Sequence, residues 1–282
     1  MIYLSTGGFS DKTFVQAASL FDPELVRGLE LSAGLYTENL ESELEAIGHT
    51  FEVTLHNYFP APRIPFVFNL ASCDPDIHKQ SMDHAKYAID LTKRISGKYF
   101  SFHAGYLIDP DVSELGKKIG KKKINNRADG LSQFLYSIKD LSKYAAERDV
   151  MLLIENNVLS AANFKSFDCN PLQMTEPAET ARIFSEVDQN VKLLVDVAHL
   201  KVSARTLGFD PVRYLDEFAP ITRAYHISDN NGLEDSNEPF RADSWFLPHI
   251  RKDLDYYSLE IYSKEVQVLE EQYTLFAKTV EM

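Results

Sequence analysis

Val191–Leu200, VKLLVDVAHL, is the stretch whose reading decides the fold. Val191, Leu193, Leu194 and Val195 make a short β-rich apolar run, as expected for a strand covered on both faces. Asp196 and His199 follow at once. A carboxylate and an imidazole therefore stand on the rim where the strand runs out, which suits a divalent cation. The same pair also suits a helix cap and a backbone-bonded histidine, and both readings stay open on this stretch alone.

The pattern recurs along the chain. Val53–Leu55 ends at His56, Tyr99–Phe102 at His103, Met151–Ile154 at Glu155, Ala224–Tyr225 at His226 and Tyr257–Leu259 at Glu260. A parallel sheet gathers the carboxyl ends of its strands on one face, so residues far apart in sequence are expected to meet there. Between these runs lie helical stretches with no composition break or linker, which predicts one (β/α)8 TIM barrel, an α/β fold, over residues 1–282. A length of 282 residues suits a barrel, which takes roughly 250.

Composition narrows the function. The chain carries 42 acidic and 29 basic residues, a net charge of −13, which disfavours broad contact with a phosphate backbone. Cys73 and Cys169 are too few for a disulfide framework and are expected to be free thiols in a reducing compartment. The opening MIYLSTGG lacks the features of a signal peptide, and no run approaches the roughly 18 apolar residues of a membrane span, so a cytoplasmic location is expected.

Several stretches ask for a function of their own. Thr13–Phe21 reads as a helix capped near Ser10 or Asp11, and Glu30, early in its run GLEL, reads as a barrel-interior or loop-facing carboxylate. The segment after His56, NYFPAPRIPFVFNLAS, is aromatic and proline-rich, as in a loop that covers a site, and Arg63 is its one cation. Gly116–Lys123 places five lysines in eight positions and reads as a solvated loop, with phosphate contact as the alternative. The chain from Asn156 to Thr175 reads as a polar loop, with Thr175 capping a helix from Pro177 to about Val187. Lys201 and Arg205 could reach a negatively charged substrate, and Asn230–Phe246 is a long loop carrying Asp235, Glu238, Arg241, Asp243 and Trp245.

The runs LHNYF, FSFHAG, LLIENN, LLVDVAHL, AYHISDNNG and YSLEIY, spread over nearly the whole chain, resemble the xylose isomerase-like barrel superfamily of sugar isomerases, epimerases and endonuclease IV-type nucleases. The resemblance implies a divalent metal (Mn, Mg, Co or Zn) held by Glu155, Asp196, His226 and Glu260. Glu155 and Glu260 would also transfer the proton through an enediolate of a sugar or sugar phosphate. His199 would orient a hydroxyl, with Trp245 covering the sugar and His56 and His103 also facing it. In the nuclease branch His56 and His103 imply a second metal position, and His199 with Asp243 a remnant of a third, because Trp245 stands where a further histidine would be. The alternatives are thus a zinc phosphoesterase acting on abasic DNA and a non-catalytic sugar-binding barrel. Dimers are common among such proteins, so a homo-oligomer is a further expectation.

Overall fold

The strand runs form as the apolar pattern requires, and they pair in parallel and in sequence order into a closed barrel, β1-β2-β3-β4-β5-β6-β7-β8. The computed structural model describes residues 1–114, 119–120 and 122–281. The strands are β1 (Ile2–Ser5), β2 (Gly28–Leu31), β3 (Glu52–His56), β4 (Tyr99–His103), β5 (Met151–Glu155), β6 (Val191–Asp196), β7 (Thr222–Ile227) and β8 (Tyr257–Leu259). Around them lie α1 (Phe14–Ala18), α2 (Leu40–Gly48), α3 (Pro75–Arg94), α4 (Arg127–Ala146), α5 (Ala161–Phe167), α6 (Pro177–Glu186), α7 (Val197–Leu207), α8 (Pro211–Phe218) and α9 (Val266–Glu281).

Alternation along each strand separates two cores. Phe100, Phe102, Leu152, Ile154, Leu193, Val195, Tyr225, Ile227, Tyr257 and Leu259 belong to the layer shared with the helices. The other parity gives a second, smaller cluster, Leu153, Leu194, Ala224 and Tyr256, with Tyr3, Tyr99 and Met151 packed against it. Two residues further along β5, β6 and β7 the same parity delivers Glu155, Asp196 and His226, and four residues beyond Tyr99 in β4 it delivers His103. The rim is therefore polar because the inward register continues past the apolar plug.

Caps explain where the helices start. Thr13 and Gln16 form a reciprocal capping box on α1, so the cap is Thr13 rather than Ser10 or Asp11. Asp74 accepts from the Asp76 and Ile77 amides ahead of Pro75, as its position predicts. The stretch after β5 is not all loop: Ser160 caps α5 through the Asn163 amide. The residue before α6 is Glu176, not Thr175, and it makes no side-chain cap bond. Both cysteines are free, and no helix among the described residues is long and apolar enough to cross a membrane. Of the lysine cluster, Lys117, Lys118 and Lys121 lie outside the described residues; Lys122 pairs with Asp111 and Glu114 at 2.7 and 3.0 Å.

Candidate metal centre

Register brings the rim residues together. His103 of β4 lies beside Glu155 of β5, Asp196 of β6 beside His226 of β7, and Glu260 follows the last residue of β8. One ligand atom from each of Glu155, Asp196, His226 and Glu260 falls within 4.8 Å of the others, and all four residues are buried. His56, His103 and Glu155 form a second such group, and Glu30, His56 and His226 a third.

Glu155 is the hub. Its Oε1 lies 3.3 Å from His226 Nδ1 and 3.3 Å from His199 Nδ1, and its Oε2 lies 3.3 Å from His56 Nε2 and 3.3 Å from His103 Nδ1. His226 Nδ1 is also 2.9 Å from Glu260 Oε2 and 4.0 Å from Asp196 Oδ2. Yet both Glu155 oxygens, Asp196 Oδ2, His226 Nδ1 and His103 Nδ1 are buried with no hydrogen bond. Buried acceptors left unpaired cost free energy, and a bound cation satisfies several at once. The residues present therefore fit a divalent ion, with oxygen and nitrogen donors of the kind magnesium, manganese, cobalt and zinc accept.

Opposed charges set the protonation. Burial alone would raise the Glu155 carboxyl, but His103, His226 and His56 around it hold it well below the ordinary carboxylate range. Glu260 is likewise drawn down to about 2: burial works against this, and His226 prevails. Asp196 moves the other way, to about 7, because burial dominates, with Glu155, Asp235 and Glu260 adding to it against His199. Burial also lowers His103 to about 4, against the pull of Glu155.

Asp196 performs both tasks that its sequence position allows. Its Oδ1 accepts the His199 amide at 2.7 Å as the cap of α7, while Oδ2 faces the cluster. His199 bonds the Asn156 carbonyl through Nδ1 at 3.0 Å, and its Nε2 lies 3.1 Å from Asp235 Oδ2. Asp235, not Asp243, is thus the carboxylate that the β7 loop brings to His199. Asp243 is 78% exposed and pairs with Arg241, so the expected His199–Asp243 remnant does not assemble. A loop has no periodicity to say which of its acids turns inward.

The other expected residues fall as follows. Trp245 is half-buried against Phe246, its indole nitrogen buried without a partner. Lys201 is tied to Asp229 at 2.6 Å and to the Asn230 carbonyl, and Arg205 to the Asn231 carbonyl, so both brace the β7 loop. Arg63 is exposed. Sequence reasoning missed Tyr262, which donates to Glu260 Oε1 at 2.8 Å. The alternation of an extended chain after Glu260 was the available signal. Glu30, expected in the interior, is fully buried beneath His226. A separate pocket of about 670 Å³, lined by Leu35, Tyr36, Phe59, His84 and Tyr87 among others, includes none of the rim residues.

A closed parallel barrel with carboxylates and imidazoles converging at the carboxyl ends of its strands defines a class of metal-competent TIM barrels. Residues 19–261 match the family described as xylose isomerase-like TIM barrel, and the chain belongs to that family. Fructoselysine 3-epimerase of Shigella flexneri is 23% identical over 205 residues, covering 69% of this chain and 61% of the relative, so the match spans about three fifths of that protein. A probable endonuclease 4 of Thermoplasma acidophilum is 25% identical over 158 residues, 54% of this chain and 42% of that protein. A crystal structure of a D-tagatose 3-epimerase-like protein superposes with a TM-score of 0.71 at 13% identity, covering 99% of this chain and 97% of that one.

Proposed function

We propose that this protein is a divalent-metal-dependent sugar epimerase or isomerase. The observation that carries the reading is the set Glu155, Asp196, His226 and Glu260, buried and within 4.8 Å, with most of its facing atoms unpaired. A divalent cation held there would polarise a substrate carbonyl and its neighbouring hydroxyl and so acidify the carbon-bound proton between them. Glu155 and Glu260 reach the centre from β5 and from the end of β8, so one can remove that proton and the other return it. Both carboxyls are held in the ionised form that a base needs. The Tyr262 hydroxyl fixes Glu260 Oε1 and leaves Oε2 turned towards the cluster. His103, whose side chain is 22% exposed at the rim, is placed to bind a substrate hydroxyl. The similarity to a fructoselysine 3-epimerase supports this assignment.

The test is exchange of a carbon-bound proton in heavy water across a panel of ketoses and aldoses with added Mn, Mg, Co or Zn. Glu155→Gln should lower exchange by roughly 10²–10⁴-fold with little change in melting temperature. Full activity in that variant would remove Glu155 from the site.

A second reading, a zinc phosphoesterase on abasic DNA, is favoured by one observation: His56 and His103 share Glu155 in a second candidate group. The exposed Asp243 and the tryptophan at 245 weaken it, because a trinuclear centre needs several protein ligands for each ion. Cleavage of an abasic oligonucleotide without sugar exchange would select it.

A further inference from the structure

Two imidazoles that face Glu155, those of His226 and His56, are joined beneath the cluster by hydrogen bonds running through the barrel interior. His226 Nε2 lies 2.9 Å from Glu30 Oε2, and the Tyr256 hydroxyl donates to the same oxygen at 2.5 Å. That hydroxyl is 3.1 Å from Ser101 Oγ, which is 2.9 Å from His56 Nδ1. All five residues are buried, none more than 2% exposed.

The proton count starts at Glu30. An ionised carboxylate only accepts, so His226 carries its proton on Nε2 and Tyr256 spends its single proton on Glu30. The Tyr256 oxygen can then only accept from Ser101. Ser101 has one proton for the Tyr256 oxygen or for the Leu55 carbonyl, 3.5 Å away, and with it used on either the His56 contact requires an N–H on Nδ1. Once a cation takes the place of the proton that these carboxylates attract, the nitrogen of His226 left bare is therefore Nδ1, which lies 2.9 Å from Glu260 and 3.3 Å from Glu155. That of His56 is Nε2, 3.3 Å from Glu155. A lone pair facing a carboxylate is repulsive unless a proton or a cation lies between them.

We propose that Glu30 is the positioning residue of this centre: it fixes the His226 ring directly and the His56 ring through Tyr256 and Ser101, turning the nitrogen of each that would bind a cation towards Glu155. Glu30 also belongs to a group able to hold a metal with His56 and His226. Its Oε1 is buried without a partner, but the two hydrogen bonds that Oε2 accepts turn that oxygen to the support of the ligands. Carboxylates behind a metal-bound histidine act in this way, and losing one typically weakens metal binding about 10–100-fold. The inference rests on the metal centre proposed above.

Cobalt(II) titration of the full chain, followed by its visible absorbance, provides the test, together with nitrogen–proton correlation spectra of the histidine rings in the zinc-loaded protein. Glu30→Gln preserves volume, but its amide can donate to His226 Nε2 and stabilise the wrong tautomer, so cobalt affinity should fall about 10–100-fold. Tyr256→Phe breaks the chain beyond Glu30. His226 should keep its Nε2–H form while His56 loses its fixed Nδ1–H form, with a smaller loss of affinity. Wild-type affinity in Glu30→Gln, or the opposite tautomers in the zinc-loaded wild type, would overturn the proposal while leaving the metal centre in place. A wild-type chain that takes up neither cobalt nor zinc would instead fault the metal centre, and this inference with it. If Glu30→Gln does not fold, the wild-type tautomers and Tyr256→Phe decide the matter alone.

Discussion

His84 illustrates how a single buried side chain governs behaviour away from the centre. It sits among the rings of Tyr58, Phe66 and Phe68, with its Nε2 buried and unpaired. Burial pushes its pKa down to about 4, against a hydrogen bond to the Asn57 backbone. The unfolded chain binds that proton near pH 6.5, so between these values the unfolded state holds more protons and stability rises with pH. The contribution is complete above about pH 6.5 and is lost progressively towards pH 4, amounting to about 3 kcal/mol. Urea unfolding of wild type and His84→Gln at pH 7.5 and pH 4.5 checks this: the gap between them should change by a large part of that amount, and an unchanged gap would contradict the account. At this scale the sequence was most legible where a strand fixed the side chain. His56, His103, Glu155, Asp196, His226 and Glu260 could be picked out because strand ends of a parallel barrel share one rim. Asp235 could not be separated from Asp243, because which acid of a loop turns inward depends on tertiary contacts.

At the scale of elements, the strands and long helices were legible through their apolar periods and the Asp74–Pro75 cap, whereas α5 was hidden in a polar stretch. α5 has only one buried residue, Phe167, so its sequence has little periodic signal to give. Loop packing is equally invisible in sequence and is strict in places. A Cβ at Gly105, just after β4, would lie 2.2 Å from the Ala71 Cβ and 2.7 Å from Gln173 Oε1. Gly105→Ala should therefore destabilise the fold by about 1–3 kcal/mol as overpacking, read as a lowered urea midpoint with unchanged slope. Lys201, expected from sequence to meet substrate, instead ties α7 to the β7 loop through Asp229 and Asn230. Lys201→Met should ease local opening by about 1 kcal/mol. Amide exchange across residues 229–238 should then quicken several-fold, with metal binding little altered. Unchanged exchange in that loop, with lost substrate affinity, would restore the substrate-binding role.

For the whole molecule, the barrel was legible because eight units alternate without interruption, and the closed parallel order bears that out. The barrel interior carries the less obvious part. Its inward register changes from apolar residues such as Leu153, Leu194 and Ala224 to charged ones at the rim, with Glu30 and Tyr256 between. That polar interior is costly in an empty barrel and sensible around a cation. The most direct measurement of this central claim is metal content per chain by mass spectrometry, on protein purified without chelator or metal-affinity resin, for wild type, Asp196→Ala and His56→Ala. About one divalent ion is expected in the wild type, lost in Asp196→Ala and largely kept in His56→Ala. Two or three zinc ions, lost equally in both variants, would turn the reading to phosphodiester cleavage, and a wild-type chain free of divalent metal that takes none up would contradict the account.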